Sequence, residues 1–139
     1  MTSDIQARTL ELFNSGYHCA ESIAISVSEA LEMDTKGTIP RMATPFGGGI
    51  GKTLEGPCGG FTGGLLILGL LDGRDKNTTD WEKTARLTRK WENTFHKLEG
   101  HLYCKNLLDK FGVQQNNSQC KKLVARAAEE LYNLLKDAK

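Results

Sequence analysis

The sequence predicts an all-α, single-domain bundle of five or six helices packed around a central, buried Gly/Leu-rich helix. Three observations carry this. Apolar residues recur at 3–4 spacing through 19–31, 78–98 and 118–135. Single glycines, Gly16, Gly100 and Gly112, follow predicted helices where a stop is needed. The one run that could be a strand has no second good strand to pair with. At 139 residues the chain is sized for one domain, residues 1–139, with one hydrophobic core.

Taken in order, Ser3 can cap a first helix over 3–15, with Ile5, Leu12 and Phe13 as its apolar face. Tyr17 and His18 leave only a short connection, so the helix starting at Cys19 should form a hairpin with the first. Its stripe is Ala20, Ile23, Ala24, Val27, Ala30 and Leu31. Pro40 and Pro45 bracket one helical turn or two, and Phe46 to Pro57 reads as an irregular glycine-rich loop. Pro57 suits the first position of the central helix, where its missing N–H costs nothing. Leu65 to Leu71 could be a buried strand, but leucine outweighs β-branched residues and the run extends back through Phe61, so a helix is favoured. Gly59, Gly60, Gly63 and Gly64 give its first turns an almost side-chain-free surface, open to another backbone or a bulky inorganic group.

Thr78, Thr79 or Asp80 can cap a helix over 78–98 whose stripe is Trp81, Ala85, Thr88, Trp91, Phe95 and Leu98. A short helix follows from Tyr103 to Phe111. Ser118 can cap a last helix with Cys120, Leu123, Val124, Ala127, Leu131, Leu134 and Leu135 on one face.

A net charge of +1 gives no electrostatic case for nucleic-acid or membrane binding. The longest apolar run, near 65–71, falls far short of the ~20 residues of a membrane span. Residues 1–15 carry Asp4, Arg8 and Glu11 and no apolar signal segment, so a cytoplasmic protein is expected. A reducing cytosol disfavours structural disulfides and points the cysteines toward metal or redox chemistry.

The cysteines are Cys19, Cys58, Cys104 and Cys120, with no Cys-x-x-Cys pair among them. That removes the usual zinc ribbon and the thioredoxin dithiol. Each instead falls in or near the first turn of a predicted helix. Helix N-termini offer free N–H groups and about half a positive charge, which favour thiolate. Converging N-termini would offset the negative charge of a thiolate-held cluster or metal. Against this, free cysteine is often a small buried hydrophobe, and Cys120 lies on an apolar stripe.

Three chemistries follow. The four cysteines could hold an iron–sulfur cluster, [2Fe–2S] or [4Fe–4S], for electron transfer with an unnamed redox partner. They could work without metal as a thiol–disulfide protein, with Cys58 as nucleophile. They could form a zinc-binding or structural four-cysteine module. Whether the protein is an enzyme stays open, and a glycine-smoothed helical surface could also pair as a homodimer.

Other features carry less. Gly47 to Thr53 invites a phosphate-loop reading, but the motif needs Gly where Phe46 stands, and Gly56-Pro57 interrupts the helix that should follow. His18 adjoins Cys19 and His101 is near Cys104; either could assist a sulfur site, though a surface or loop-end role is the simpler expectation. Glu21 and Glu55 read as solvated carboxylates, and Lys52 and Lys105 could stabilise nearby thiolates.

Cys58-Gly59-Gly60-Phe61-Thr62-Gly63 resembles the Cys-Gly-Ala-x-x-Gly signature of the redox-active four-cysteine C_GCAxxG_C_C family. Cys19 matches the cysteine before that signature, and Cys104 and Cys120 match the two after it. Gly60 stands where the signature has Ala, a small-for-small change. The resemblance covers nearly the whole chain and implies redox activity at the four cysteines, with Gly59, Gly60 and Gly63 as the supporting loop. A similar domain in split-Soret cytochromes is associated with an iron–sulfur centre, which favours the cluster.

Overall fold

The computed structural model describes residues 3–138. These form six α-helices and one 3-10 helix, with no strand among the described residues. The helices are α1 (Asp4–Ser15), α2 (Cys19–Ala30), α3 (Gly59–Asp72), α4 (Glu82–Glu99), α5 (Cys104–Phe111) and α6 (Ser118–Leu135), with the 3-10 helix at Arg41–Phe46.

The first hairpin forms as its local chemistry requires. The Ser3 hydroxyl accepts the Gln6 N–H at 3.2 Å and opens α1. Gly16, with φ of 121°, closes it by donating its N–H to the Leu12 and Phe13 carbonyls. Two residues later α2 begins. Its cap is His18, whose Nδ1 accepts the Glu21 N–H at 3.3 Å while Glu21 Oε1 accepts the His18 N–H at 3.1 Å. This is the reciprocal geometry of a capping box, with imidazole in the place usually held by Ser or Thr.

The apolar run is helical, and α3 lies against α2, α4 and α6. Its glycines set how closely. A Cβ at Gly63 would stand 2.5 Å from the Ala20 carbonyl oxygen, and one at Gly64 would stand 2.8 Å from the Trp91 ring. The bare surface therefore admits the backbone of α2 on one side and an indole on the other. Trp91, Phe95 and Phe61 form an aromatic cluster with centroid separations of 5.7 to 6.3 Å. The buried indole N–H donates to the Phe61 carbonyl at 3.1 Å, so this polar group is not stranded in the core. The outer end of α3 reaches the surface, and Leu70 is exposed.

Three local expectations need correction. Pro57 is not the first residue of α3. It precedes the cap, Cys58, and pairs with Tyr103 in an isolated antiparallel bridge. Helix α4 starts at Glu82, four residues after the expected 78, because Arg74 ties the preceding turns down by donating to the Asn77 and Thr79 carbonyls. Asp80 accepts the Glu82 N–H at 3.1 Å from just outside the helix. Trp81 accordingly leaves the predicted stripe and is exposed, while Trp91 and Phe95 are fully buried.

Candidate functional site

The four cysteines come from four helix starts. Cys58 caps α3, Cys19 and Cys104 are the first residues of α2 and α5, and Cys120 is the third of α6. All four line one cavity of about 210 Å³, together with His18, Gly48, Leu54, Gly59 and apolar side chains of α1, α5 and α6. Cys58 is buried, and the other three are half-buried. All four are free thiols.

Two backbone hydrogen bonds place α3 and α5 beside each other. The Cys58 N–H donates to the Leu102 carbonyl at 2.7 Å, and the Cys104 N–H donates to the Gly56 carbonyl at 2.8 Å. Cys19 comes close because Gly59 has no side chain: a Cβ there would lie 2.2 Å from the Cys19 sulfur. Gly59, Gly60 and Gly63 thus belong to the first turns of α3 rather than to a supporting loop. Gly60 faces Val124, Phe95 and the Cys58 sulfur.

The loop ahead of α3 folds over this junction. Gly48 to Lys52 all have positive φ, between 56° and 70°, and Leu54 adds another. Left-handed backbone costs a residue with a side chain roughly 1–2 kcal/mol, which explains glycine at three of those five consecutive positions. The turn is tied internally by Lys52 N–H to the Gly47 carbonyl and Leu54 N–H to the Gly48 carbonyl. It packs tightly, since a Cβ on Gly49 would lie 2.7 Å from the Cys104 Cβ. No helix starts at Lys52, consistent with setting aside the phosphate-loop reading.

Electrostatics separate the four thiols. Burial pushes the Cys58 thiol far up, Cys19, Cys104 and Cys120 push it further, and the Gly60 N–H only partly offsets them. Burial, then Cys19 and Cys120, pushes Cys104 up to about 11. Burial also raises Cys120, against the Gln114 side chain, which stabilises its thiolate. Cys19 goes the other way. Burial raises it, but hydrogen bonds from the His18 side chain and the Gly48 and Ala20 backbone, with the His18 charge, carry it below the ordinary thiol value. His18 rises in turn, first through Cys19, with the Thr44 carbonyl and Glu21 adding against its own burial. Cys58, the nucleophile expected from its helix start, is therefore the least ionisable of the four, and Cys19 is the activated one.

Other candidates sort clearly. His18 is not a free loop end: its Nε2 lies 2.9 Å from the Thr44 carbonyl, and Gly47 packs against the ring. His101 is half-buried away from the cavity lining, and His96 is exposed. Lys52, Glu55 and Lys105 are exposed, whereas Glu21 is half-buried and accepts the Thr44 hydroxyl at 2.7 Å. Sequence reasoning missed Gln114, which belongs to no motif, and it singled out the glycine-rich loop without finding that the Gly48 backbone donates to Cys19. Among the described residues, no three His, Cys, Asp or Glu side chains stand close enough together to hold a single metal ion.

Comparison with known proteins extends this picture. A protein of Archaeoglobus fulgidus described as uncharacterized is 29% identical over 143 residues, covering 95% of this chain and 93% of its own. No solved structure matches the chain. The family described as "Putative redox-active protein (C_GCAxxG_C_C)" matches residues 17–134, a span that contains all four cysteines, and the chain belongs to that family.

Proposed function

We propose that the protein is an electron-transfer protein whose four cysteines together hold an iron–sulfur cluster. The observation that carries this reading is the single cavity lined by Cys19, Cys58, Cys104 and Cys120. The donor set suits the group. Thiolates are the usual cluster ligands, and each thiol here sits at a helix start, where N–H groups and the helix dipole offset anionic charge. Thiols raised by burial and mutual repulsion lose that penalty when they bind a cation, because ligation removes the proton.

A shared cavity of about 210 Å³ bounded by the four cysteines suits a multi-iron group. When bound, a cluster supplies one-electron transfer. The chain's own residues then orient the sulfurs through four helix starts, donate hydrogen bonds from Gly48, Ala20 and Gly60, and restrict water with Leu54 and the apolar walls. A reducing cytoplasm fits such a centre. The test is anaerobic reconstitution with iron and sulfide. Broad visible absorption with matched iron and acid-labile sulfide supports the reading, and colourless, iron-free protein rejects it.

The His18–Cys19 pair favours a second reading, metal-free thiol–disulfide exchange. Cys19 thiolate would attack a disulfide oxidant and release one of its thiols. A second cysteine, with Cys58 the nearest in sequence to the Gly59 contact, would displace the other thiol and close an internal disulfide. Thiol counting with oxidised glutathione tests it: paired loss of two thiols supports exchange, and four retained thiols reject it.

A further inference from the structure

One side chain outside every motif is locked onto the sulfur site. Gln114 lies in the loop between α5 and α6. Its Oε1 accepts both the Gln119 and the Cys120 N–H at 2.9 Å. Its Nε2 stands 3.3 Å from the Cys120 sulfur. The amide cannot be turned round. Backbone N–H groups only donate, so the atom facing two of them must be the oxygen, and the nitrogen must face the sulfur.

We propose that Gln114 is a positioning residue of the sulfur centre, fixing the Cys120 sulfur and donating a hydrogen bond that stabilises its electron-rich form. This rests on the reading of Cys120 as a redox or cluster sulfur and adds a residue that tunes it. The chemistry is specific. A cysteine serving only as apolar filler needs no N–H donor, whereas a thiolate or cluster-ligating sulfur gains from one. Hydrogen bonds to ligand sulfurs favour the more negative, reduced state and raise the potential. Cys58 takes its donor from the Gly60 backbone, and Cys19 takes donors from the Gly48 and Ala20 backbone and the His18 ring, which also caps α2. For Cys120 the donor is a side chain, which can be changed without touching the main chain.

Gln114→Glu provides the test. It keeps an oxygen for the two N–H groups, and a carboxylate suits a helix N-terminus, so the α6 cap survives. It removes the donor to sulfur. Gln114→Met removes both functions. The expected results are a melting temperature held in Gln114→Glu and lowered in Gln114→Met. Reconstituted Gln114→Glu should show a roughly tenfold shift in its redox equilibrium toward the oxidised state, about 59 mV for one electron. In the metal-free protein, Cys120 alkylation followed by mass spectrometry should slow several-fold in Gln114→Glu, with Cys104 unchanged. That second readout separates the two readings. If wild-type protein takes up no cluster but Cys120 alkylation still responds, Gln114 keeps its role and the cluster reading falls. A Cys120 alkylation rate and a potential both unchanged in Gln114→Glu overturn the proposal, and if Gln114→Glu does not fold, the same two readouts unchanged in Gln114→Met overturn it.

Discussion

Cys58 and Cys104, 46 positions apart, enter the sulfur cavity from one backbone clasp: each donates its own N–H to the chain segment preceding the other, Cys58 to Leu102 and Cys104 to Gly56. The clasp uses up both main-chain donors, so each sulfur takes its environment from elsewhere. It also leaves Gly56 no room for a side chain. A Cβ there would lie 2.6 Å from the Gly49 carbonyl oxygen and 2.7 Å from Ile50 Cγ1. Gly56→Ala should therefore cost about 1–3 kcal/mol by overpacking. Chemical denaturation measures the cost, and cluster yield should fall with it. Full stability and full yield would show that the clasp tolerates displacement.

The glycines of α3 divide by what they touch. Gly59→Ala drives a methyl into the Cys19 sulfur and Gly63→Ala into the Ala20 carbonyl, so both should destabilise by about 1–3 kcal/mol. Gly69 lies in the same helix with nothing within 4 Å of its Cβ position. Gly69→Ala should stabilise by about 0.5–1 kcal/mol, from helix propensity alone. Urea denaturation of the three variants checks the opposite signs. Equal effects at all three positions would mean that α3 does not pack through Gly59 and Gly63.

Alkaline pH should weaken the metal-free protein. Folding raises Cys104 to about 11 and Cys58 upward, from an ordinary thiol value of ~8.5. The folded state thus binds more protons than the unfolded one in this range. Their contribution is fully present below the unfolded value and is lost as pH rises from ~8.5 through about 11. Cys19, with its value lowered, works in the opposite sense and gives stability up as pH falls through its folded value. Melting curves between pH 8 and 11 should show the decline, and a Cys104→Ala variant should flatten it.

His18 separates thiolate activation from capping. Asn is a good helix cap but has no imidazole to offer Cys19, so His18→Asn should leave α2 in place. The Cys19 thiolate then loses the hydrogen bond and favourable electrostatic interaction that His18 gives it. Alkylation of Cys19 in metal-free protein at pH 7 should slow by several-fold, about tenfold for each unit of pKa recovered. An unchanged rate would mean that the Gly48 and Ala20 N–H groups alone activate Cys19.

Much of the bundle was legible because helix signals are local. The Ser3 cap, the Gly16 and Gly100 stops and the stripe through Leu123, Val124, Ala127 and Leu131 act within a turn or two of themselves. The helix-start placement of each cysteine was legible for the same reason. What stayed hidden depends on distant partners. Pro57 looks like a helix opener until Tyr103 pairs with it. His18 is an uncommon cap and needs Glu21 and Thr44 to hold it. Trp81 fits the α4 stripe by spacing, but Arg74 holds the preceding turns and the helix starts after it. From its helix start Cys58 reads as the natural nucleophile. Its ionisation is governed by burial among three other sulfurs, which spacing along the chain does not reveal.

The central claim is that four cysteines serve one cluster. Its most direct test is the iron and acid-labile sulfide bound after anaerobic reconstitution of the wild type and of Cys19→Ala, Cys58→Ala, Cys104→Ala and Cys120→Ala. Matched iron and sulfide in the wild type, with a marked loss in each of the four variants, is the predicted result. A wild type without iron, or a variant series in which any single cysteine can be removed without loss, would contradict it.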